Sequence, residues 1–552
     1  MSNATNAFLS PTRSAVLTTG GLVCSASPLA GAIGAQVLRG GGNAFDAAVA
    51  VAASEAVTLS PMCGVGGEVF ALFYEASTGK VYDITGSGAA PAGATRDFFV
   101  SRGYAKMPQE GPLTPSVPGE VDAWQTIVTR FGTRSLAELI EPAIGLAERG
   151  YPIPGHIGAY YAMYADKIGR YPSTAAVFAK GGHTLVPGDV IVQPALAKTL
   201  RRIADGGADE FYRGALAREI ASAVQAAGGL MTADDLARQQ THVVEATAST
   251  DYRGYTVYAN APPSQGYMLL ETLNIAEGFD LPAMGQDSAE AAHVLAEALK
   301  LAFADRLAYL GDPAFVDVPL TALLSKKFAA ARRESINPGE ASKSADAGAP
   351  AQLTTGVSPS TSYFCVVDAD GNAVSFIHSI SQYFGSGLVA GETGVLLNDR
   401  VGRGFYLEEG HPNVVEPGKR TMNTIQTYMA LRDGKPVLVG GTPGGDRQPS
   451  WNVQVLSNVL DHGLNVQEAA DLPRWQHFPG SDPATSDLPF ELRIEDGFNP
   501  DSIATLERLG HTVAAAPSDQ TTGSVQLIAI DQGTGVRSGG TDRRSDGYPI
   551  PS

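Results

Sequence analysis

A mixed α and β fold with many short connections is predicted for this 552-residue chain. Three observations predict it. Glycine (63) and proline (35) punctuate short elements along the whole length, the habit of a compact α/β enzyme. Segments with a helical period of apolar residues alternate with hairpin signals. A tract poor in large apolar side chains, residues 338–358, runs directly into the head of a strand that reads as buried.

In chain order, residues 27–58 read as two helices broken at Gly40-Gly41-Gly42. The second, starting near Asn43, is rich in Ala and Val on nearly every face, so burial is expected. After Cys63-Gly64-Val65-Gly66-Gly67 come Val69–Tyr74 and Val81–Ile84, a hairpin around Thr78-Gly79. Helical periodicity returns at 119–131, 136–149, 193–204, 215–227, 233–238 and 288–309, with Tyr252–Tyr258 between them as a strand candidate. The tract 338–358 reads as a solvated linker. Beyond it, Thr361–Asp368 and Ala373–Ser379 flank Asp370-Gly371, a strong hairpin turn signal. Val437–Gly440 is a further strand, and no internal repeat is visible.

Composition narrows the function classes. With 44% apolar and 17% charged residues the chain is globular. A net charge of −18 argues against nucleic-acid and anionic-membrane partners, which are met by Lys and Arg. Cys24, Cys63 and Cys365 form no CxxC pair and no disulfide framework. The nine histidines show no HExxH or similar ligand spacing, which argues against a structural zinc site; the chemistry read below needs no metal or organic cofactor, so none is expected. The first twenty residues lack a signal pattern and no run approaches 18 apolar residues, so the expected location is cytoplasmic.

The junction Ser360-Thr361 is where chemistry fits. Cleavage there would free Thr361 as an N-terminus, with hydroxyl nucleophile and α-amine base on one residue. An α-amine suits the task, since its ordinary pKa is roughly 7.7–8.0. The same hydroxyl could first attack the Ser360 carbonyl and cut the chain itself. The competing reading is that Thr361 merely opens a strand, where Thr is common.

Thr361–Val374 resembles the nucleophile strand of the γ-glutamyltransferase (γ-glutamyl transpeptidase) family, and Phe384–Asn398 resembles the segment that follows it. Gly41–Val49, Asp251–Tyr255, Ala304–Asp312, Pro417–Arg420 and Pro443–Asp446 match in family order. The resemblance implies a four-layer αββα N-terminal-nucleophile hydrolase of α+β class. It further implies a proenzyme that cuts itself into residues 1–360 and 361–552, which interlock as one αβ unit; further dimerisation is left open. Thr361 then matches the nucleophile, and Ser379 falls where the family has a second hydroxyl beside it. Gly444-Gly445 matches the diglycine whose N–H groups hold the oxyanion.

Departures fall in the recognition set. The family clamps the substrate α-carboxylate with an arginine in a segment that here reads Tyr82–Pro91, without arginine. Its paired serines are Asn423-Thr424, its recognition asparagine aligns with Ser381, and its acidic residue falls within Asp399–Arg403, near Arg403, where the charge has the opposite sign. Arg400–Asn413 looks more like the branch that includes oxamate amidohydrolase, although that branch usually has arginine where Ala89 stands. Arg400 and Arg403 are candidates for a substrate carboxylate; their alternative is a solvated loop pairing with Glu408 or Glu409.

The expectation is a self-processing amidohydrolase acting on an amide of a small carboxylate-bearing substrate through an acyl-enzyme. The alternatives are a true γ-glutamyltransferase or glutathione hydrolase, and an uncleaved homologue that serves as a binding protein. Cys365 reads as a small buried hydrophobe rather than a nucleophile, Gly64–Gly67 lacks the residues of a P-loop, and His378 and His411 lack a nucleophile elbow.

Overall fold

The computed structural model describes residues 13–348, 361–480, 488–516 and 523–552. Two seven-stranded sheets face each other. The first runs, edge to edge, Tyr548–Pro551, Leu22–Ser25, Ser362–Val367, Ala373–Ser379, Glu68–Glu75, Lys80–Gly86 and His242–Glu245. The second runs Val16–Thr18, Arg537–Thr541, Gln526–Ile530, Lys435–Gly441, Tyr428–Arg432, Tyr255–Ala259 and Ser249–Tyr252. Each sheet therefore takes strands from both sides of the 360/361 junction.

Strand alternation sorts the apolar residues into layers. Tyr363, Cys365, Val367, Phe70, Leu72 and Ile377 from the first sheet meet Met429, Val439 and Ile528 of the second in one core between the sheets. Phe364, Val366, Val374 and Phe376 point the other way, onto helices that include Ala44–Thr58, Leu136–Arg149 and Pro194–Tyr212. Helices Gly266–Ala276, Ala289–Tyr309 and Gln448–Leu460 cover the outer face of the second sheet. The order is helix, sheet, sheet, helix, the αββα arrangement.

The expected Ala-rich helix spans Ala44–Thr58 with every residue buried. It starts where Asn43 Oδ1 accepts from Phe45 N and Asp46 N while Asp46 returns a bond to Asn43 N. The hairpins at 68–86 and 362–379 form as expected.

Three expectations need correction. Tyr252–Tyr258 is two strands rather than one: Arg253 (φ 53°) and Gly254 (φ 81°) make the tight turn of the hairpin Ser249–Tyr252/Tyr255–Ala259. The helices Gly266–Ala276 and Gln448–Leu460 escape sequence reading because both are largely buried all round and so carry no amphipathic period. The linker is not solvated throughout. Ala341 is buried and donates to Leu509 O, Ser342 N donates to Glu297, and Gly348 N to Asp305 Oδ1. Residues 349–358 lie outside the described residues, as does Ser360. Among the described residues no helix is long and apolar enough to cross a membrane.

Candidate active site

Four residues on adjacent strands of the first sheet make a polar row at one end of the face that looks toward the second sheet. Ser362 pairs with His378, which sets Thr361 against Ser379. Ser379 pairs with Glu68, and the register of the next hairpin carries on from Val69/Gly86 to Glu68/Ser87. Thr361 Oγ1 lies 3.3 Å from Ser379 Oγ. Ser381 N–H donates to Ser379 Oγ at 2.8 Å, and Ser87 Oγ donates to Glu68 Oε2 at 2.7 Å. All four residues of the row are buried. The glycine-dense segment 64–67 has its reason here: a Cβ on Gly67 would stand 2.4 Å from the Ser379 carbonyl oxygen.

The diglycine arrives from the second sheet. Ser375 Oγ donates across the sheets to Gly440 O at 3.2 Å, and Gly441 packs over the Tyr363 ring. The chain then leaves at the nucleophile end of the strand as Thr442-Pro443-Gly444-Gly445. Gly444 (φ 133°) and Gly445 (φ 57°) adopt backbone conformations that a Cβ disfavours, and one on Gly444 would lie 2.4 Å from the Trp451 ring. Gln265 Nε2 donates to Gly445 O at 2.9 Å and also to Thr424 O. Its Oε1 accepts from Arg306 Nη1 at 2.7 Å, which in turn donates to Asp446 Oδ1 at 2.7 Å.

Arg400 and Arg403 belong to this network and not to a solvated loop. Both are buried, Arg400 pairing with Glu68 and Arg403 with Asp446. Arg403 Nη2 donates to Asp446 Oδ2 at 3.1 Å, so Asp446 is gripped by two arginines. Arg400 Nε lies 2.5 Å from Glu68 Oε1, and its Nη1 reaches Thr424 Oγ1 at 3.4 Å. A cation missing from the segment Tyr82–Pro91 thus reaches Glu68, the acceptor of Ser87, from the short helix Arg400–Gly404. Arg400 Nη2 and Asn423 Nδ2 are buried N–H groups with no hydrogen-bond partner among the described residues. The rest of Asn423 is tied down: its N donates to Pro263 O, its O accepts from Gln265 N, and its Oδ1 accepts from Ile425 N.

Thr361, Ser379, Gly444-Gly445, Asn423-Thr424, Arg400 and Arg403 therefore converge. Sequence reading missed Glu68, Gln265 and Arg306. Glu68 carried a signal, a charged residue at an inward position of a strand whose other inward residues are apolar. The paired motifs also gain a cause: Arg306 with Asp446, and Asp312 with Arg420 at 2.8 Å, bind family segments to one another.

Cys365 is buried opposite Cys24, and burial pushes its thiol well above the ordinary range, so it is a poor nucleophile. His411 stacks on Tyr406, and burial lowers it to about 4. Among the described residues, two His/Cys/Glu groups are close enough to share an ion, Glu55-Cys63-His378 and His293-Glu297-His511. In the second, Lys300 Nζ sits 2.6 Å from Glu297, a cation already in place.

A family model described as Gamma-glutamyltranspeptidase matches residues 30–552. The glutathione hydrolase-like YwrD proenzyme of Bacillus subtilis (strain 168) is 39% identical over 544 residues, covering 97% of this chain and 99% of that protein. The glutathione hydrolase proenzyme of Escherichia coli (strain K12) is 38% identical over 540 residues, covering 95% and 90%. The crystal structure of cephalosporin acylase from Bacillus halodurans matches with a TM-score of 0.90 at 34% identity, covering 100% of this chain and 99% of that one.

Proposed function

Because this chain belongs to the gamma-glutamyltranspeptidase family, whose members are self-processing amide hydrolases and acyltransferases of the N-terminal-nucleophile type, we propose that it hydrolyses the amide of a small carboxylate-bearing substrate. The chain is cut before Thr361 into residues 1–360 and 361–552. Sheets that draw strands from both pieces support their staying together as one αβ unit.

Thr361 Oγ1 attacks the amide carbonyl while its own α-amine takes the proton. Ser379 Oγ accepts from Ser381 N–H and lies 3.3 Å from Thr361 Oγ1, a hydroxyl pair in which either oxygen can donate to the other. The N–H groups of Gly444 and Gly445 hold the oxyanion. The amine leaves, an acyl-enzyme remains, and water releases the carboxylic acid.

The observation that carries the substrate class is the Arg400 guanidinium. It is anchored to Glu68, the strand neighbour of Ser379, yet its buried Nη2, with two N–H donors, has no hydrogen-bond partner among the described residues. Strands lie about 4.8 Å apart, so a carboxylate on Arg400 would sit one to two strand spacings from Thr361, roughly 5–10 Å. Asn423 Nδ2 supplies a second donor, with Thr424 and Arg403 behind it. Purified protein should run as two pieces, and Thr361→Ala as one inactive chain. A single uncut band with activity intact refutes the proposal.

One observation favours a second reading. Glu68 and Arg400 offer an anion and a cation side by side, which also suits the ammonium and carboxylate of a γ-glutamyl group. Comparing turnover of a chromogenic γ-glutamyl anilide with that of simple carboxylated amides separates the two.

A further inference from the structure

The face of the nucleophile strand that looks away from the active site is not apolar where it passes Thr361. Ser362 and His378, the pair next to Thr361 and Ser379, point into the helical layer instead. There they meet Glu55 of helix Ala44–Thr58 and Glu120 of helix Glu120–Phe131. His378 Nε2 lies 2.9 Å from Glu55 Oε2 and His378 Nδ1 2.9 Å from Glu120 Oε1. Ser362 Oγ donates to Glu55 Oε2 at 2.6 Å, and Ser25 Oγ to Glu55 Oε1 at 2.6 Å. Trp124 Nε1 donates to Glu120 Oε1 at 2.9 Å. All six residues have no exposed surface.

Two carboxylates on one imidazole is an expensive arrangement in a dry interior unless the imidazole is charged and every lone pair is used. Burial works against the charged form of His378, but Cys63 and then Glu120, the groups beside its ring, outweigh that penalty and raise the imidazole well above its ordinary range. Hydroxyls fill much of the remaining capacity of Glu55, whereas on Glu120 both donors fall on Oε1 and Oε2 has no hydrogen-bond partner among the described residues. The clamp also spans the cut: Ser25, Glu55 and Glu120 lie before residue 360, and Ser362 and His378 after it. By strand alternation Ser362 and His378 lie on the opposite face from Thr361 and Ser379.

We propose that Glu55, Glu120 and His378 form a positioning clamp. Held by both helices, it fixes the strand pair 361–379 so that Thr361 Oγ1 meets Ser379 Oγ on the opposite face. This rests on Thr361 as nucleophile, and a misplaced reacting group costs on the order of 100-fold per ångström.

The test compares two hydroxyls of equal burial and bond length. Ser362→Ala and Ser25→Ala each remove a 2.6 Å donor to Glu55, but only Ser362 lies on the nucleophile strand. Ser25→Ala also loses the bond from Ser27 N, so it should lower the melting temperature at least as much as Ser362→Ala. Ser362→Ala should lower kcat per processed site about tenfold and slow self-cleavage with KM unchanged, while Ser25→Ala stays within about twofold. Ser362→Thr, which keeps the hydroxyl, should recover kcat. Glu55→Gln, where it folds, should cost about 10- to 100-fold in kcat. Unchanged kcat in Ser362→Ala, or an equal fall in both alanine variants, overturns the clamp. So does stoichiometric metal in purified protein, since Glu55, Cys63 and His378 could share an ion. Activity surviving in Thr361→Ala would overturn the nucleophile reading instead, and is seen separately.

Discussion

Replacing Arg400 by lysine tests the substrate class most directly. Lysine keeps a cation for Glu68, which is 1% exposed, so the fold is not asked to hold a bare buried carboxylate. Methionine would ask that, at a cost of about 3–5 kcal/mol for a buried charge left unpaired. What lysine cannot do is pair with Glu68 through one nitrogen, reach Thr424 through a second and offer a third to a ligand. The loss is one or two charge-assisted hydrogen bonds, each about 1.5–3 kcal/mol. A single such bond corresponds to roughly 10- to 150-fold in kcat/KM. The assay is kcat/KM on matched amides, one with a free carboxylate and one with the same group as its methyl ester. Wild-type enzyme should prefer the acid, and Arg400→Lys should collapse the preference by about that factor with the ester rate nearly unchanged. If Arg400→Lys keeps the preference within about twofold, Arg400 does not hold the substrate carboxylate, whatever the enzyme hydrolyses.

Other outcomes follow from the same geometry. Gly444→Ala drives a Cβ to 2.4 Å from the Trp451 ring and disturbs an oxyanion donor, so kcat should fall about 100-fold or more while Thr361 remains in place; near-wild-type turnover would remove Gly444 from the oxyanion role. Ser379→Ala removes the hydroxyl 3.3 Å from Thr361 Oγ1 and should lower kcat about tenfold in pre-steady-state kinetics, with Ser379→Thr active. Asp83 is buried against Asn260 and Ala261, and burial raises its carboxyl to about 6. The native state therefore binds a proton that the unfolded chain has lost above its ordinary value of 3.8, and this contribution to stability fades as pH rises toward 6 and beyond. Asp83→Asn should flatten that decline, by up to about 3 kcal/mol, in melts at pH 4 and pH 7.

What was legible in the sequence, and what was not, follows from how each residue is held. Hairpins at 68–86 and 362–379 announce themselves because turn chemistry and alternation are local. The Ala44–Thr58 helix does so because its lack of a polar face is itself a pattern. Gly266–Ala276 is equally buried but mixes Thr, Glu and Asn among its apolar residues, so nothing local distinguishes it from a loop. Family motifs pointed to Thr361, Ser379 and the diglycine, whose chemistry demands those residue types in those places.

Recognition was less legible because the charge moved. Sequence reading saw an arginine absent near Ser87 and two arginines present near residue 400, with no way to join them. Pairing of Ser379 with Glu68 joins them, since it places the anchor of Arg400 beside the second hydroxyl of the site. A substitution that looks like a lost function in one segment can thus be a relocated one, because a long side chain reaches a ligand from any loop that borders the same row of strands. Arg403 shows the opposite case. It lies near the place of an acid in the family pattern, yet its charge goes to Asp446 beside the diglycine, where Arg306 already stands. Two cations on one buried carboxylate hold the turn that carries Gly444-Gly445, so Arg403 serves the scaffold of that turn, and in the proposed mechanism the binding charge is that of Arg400.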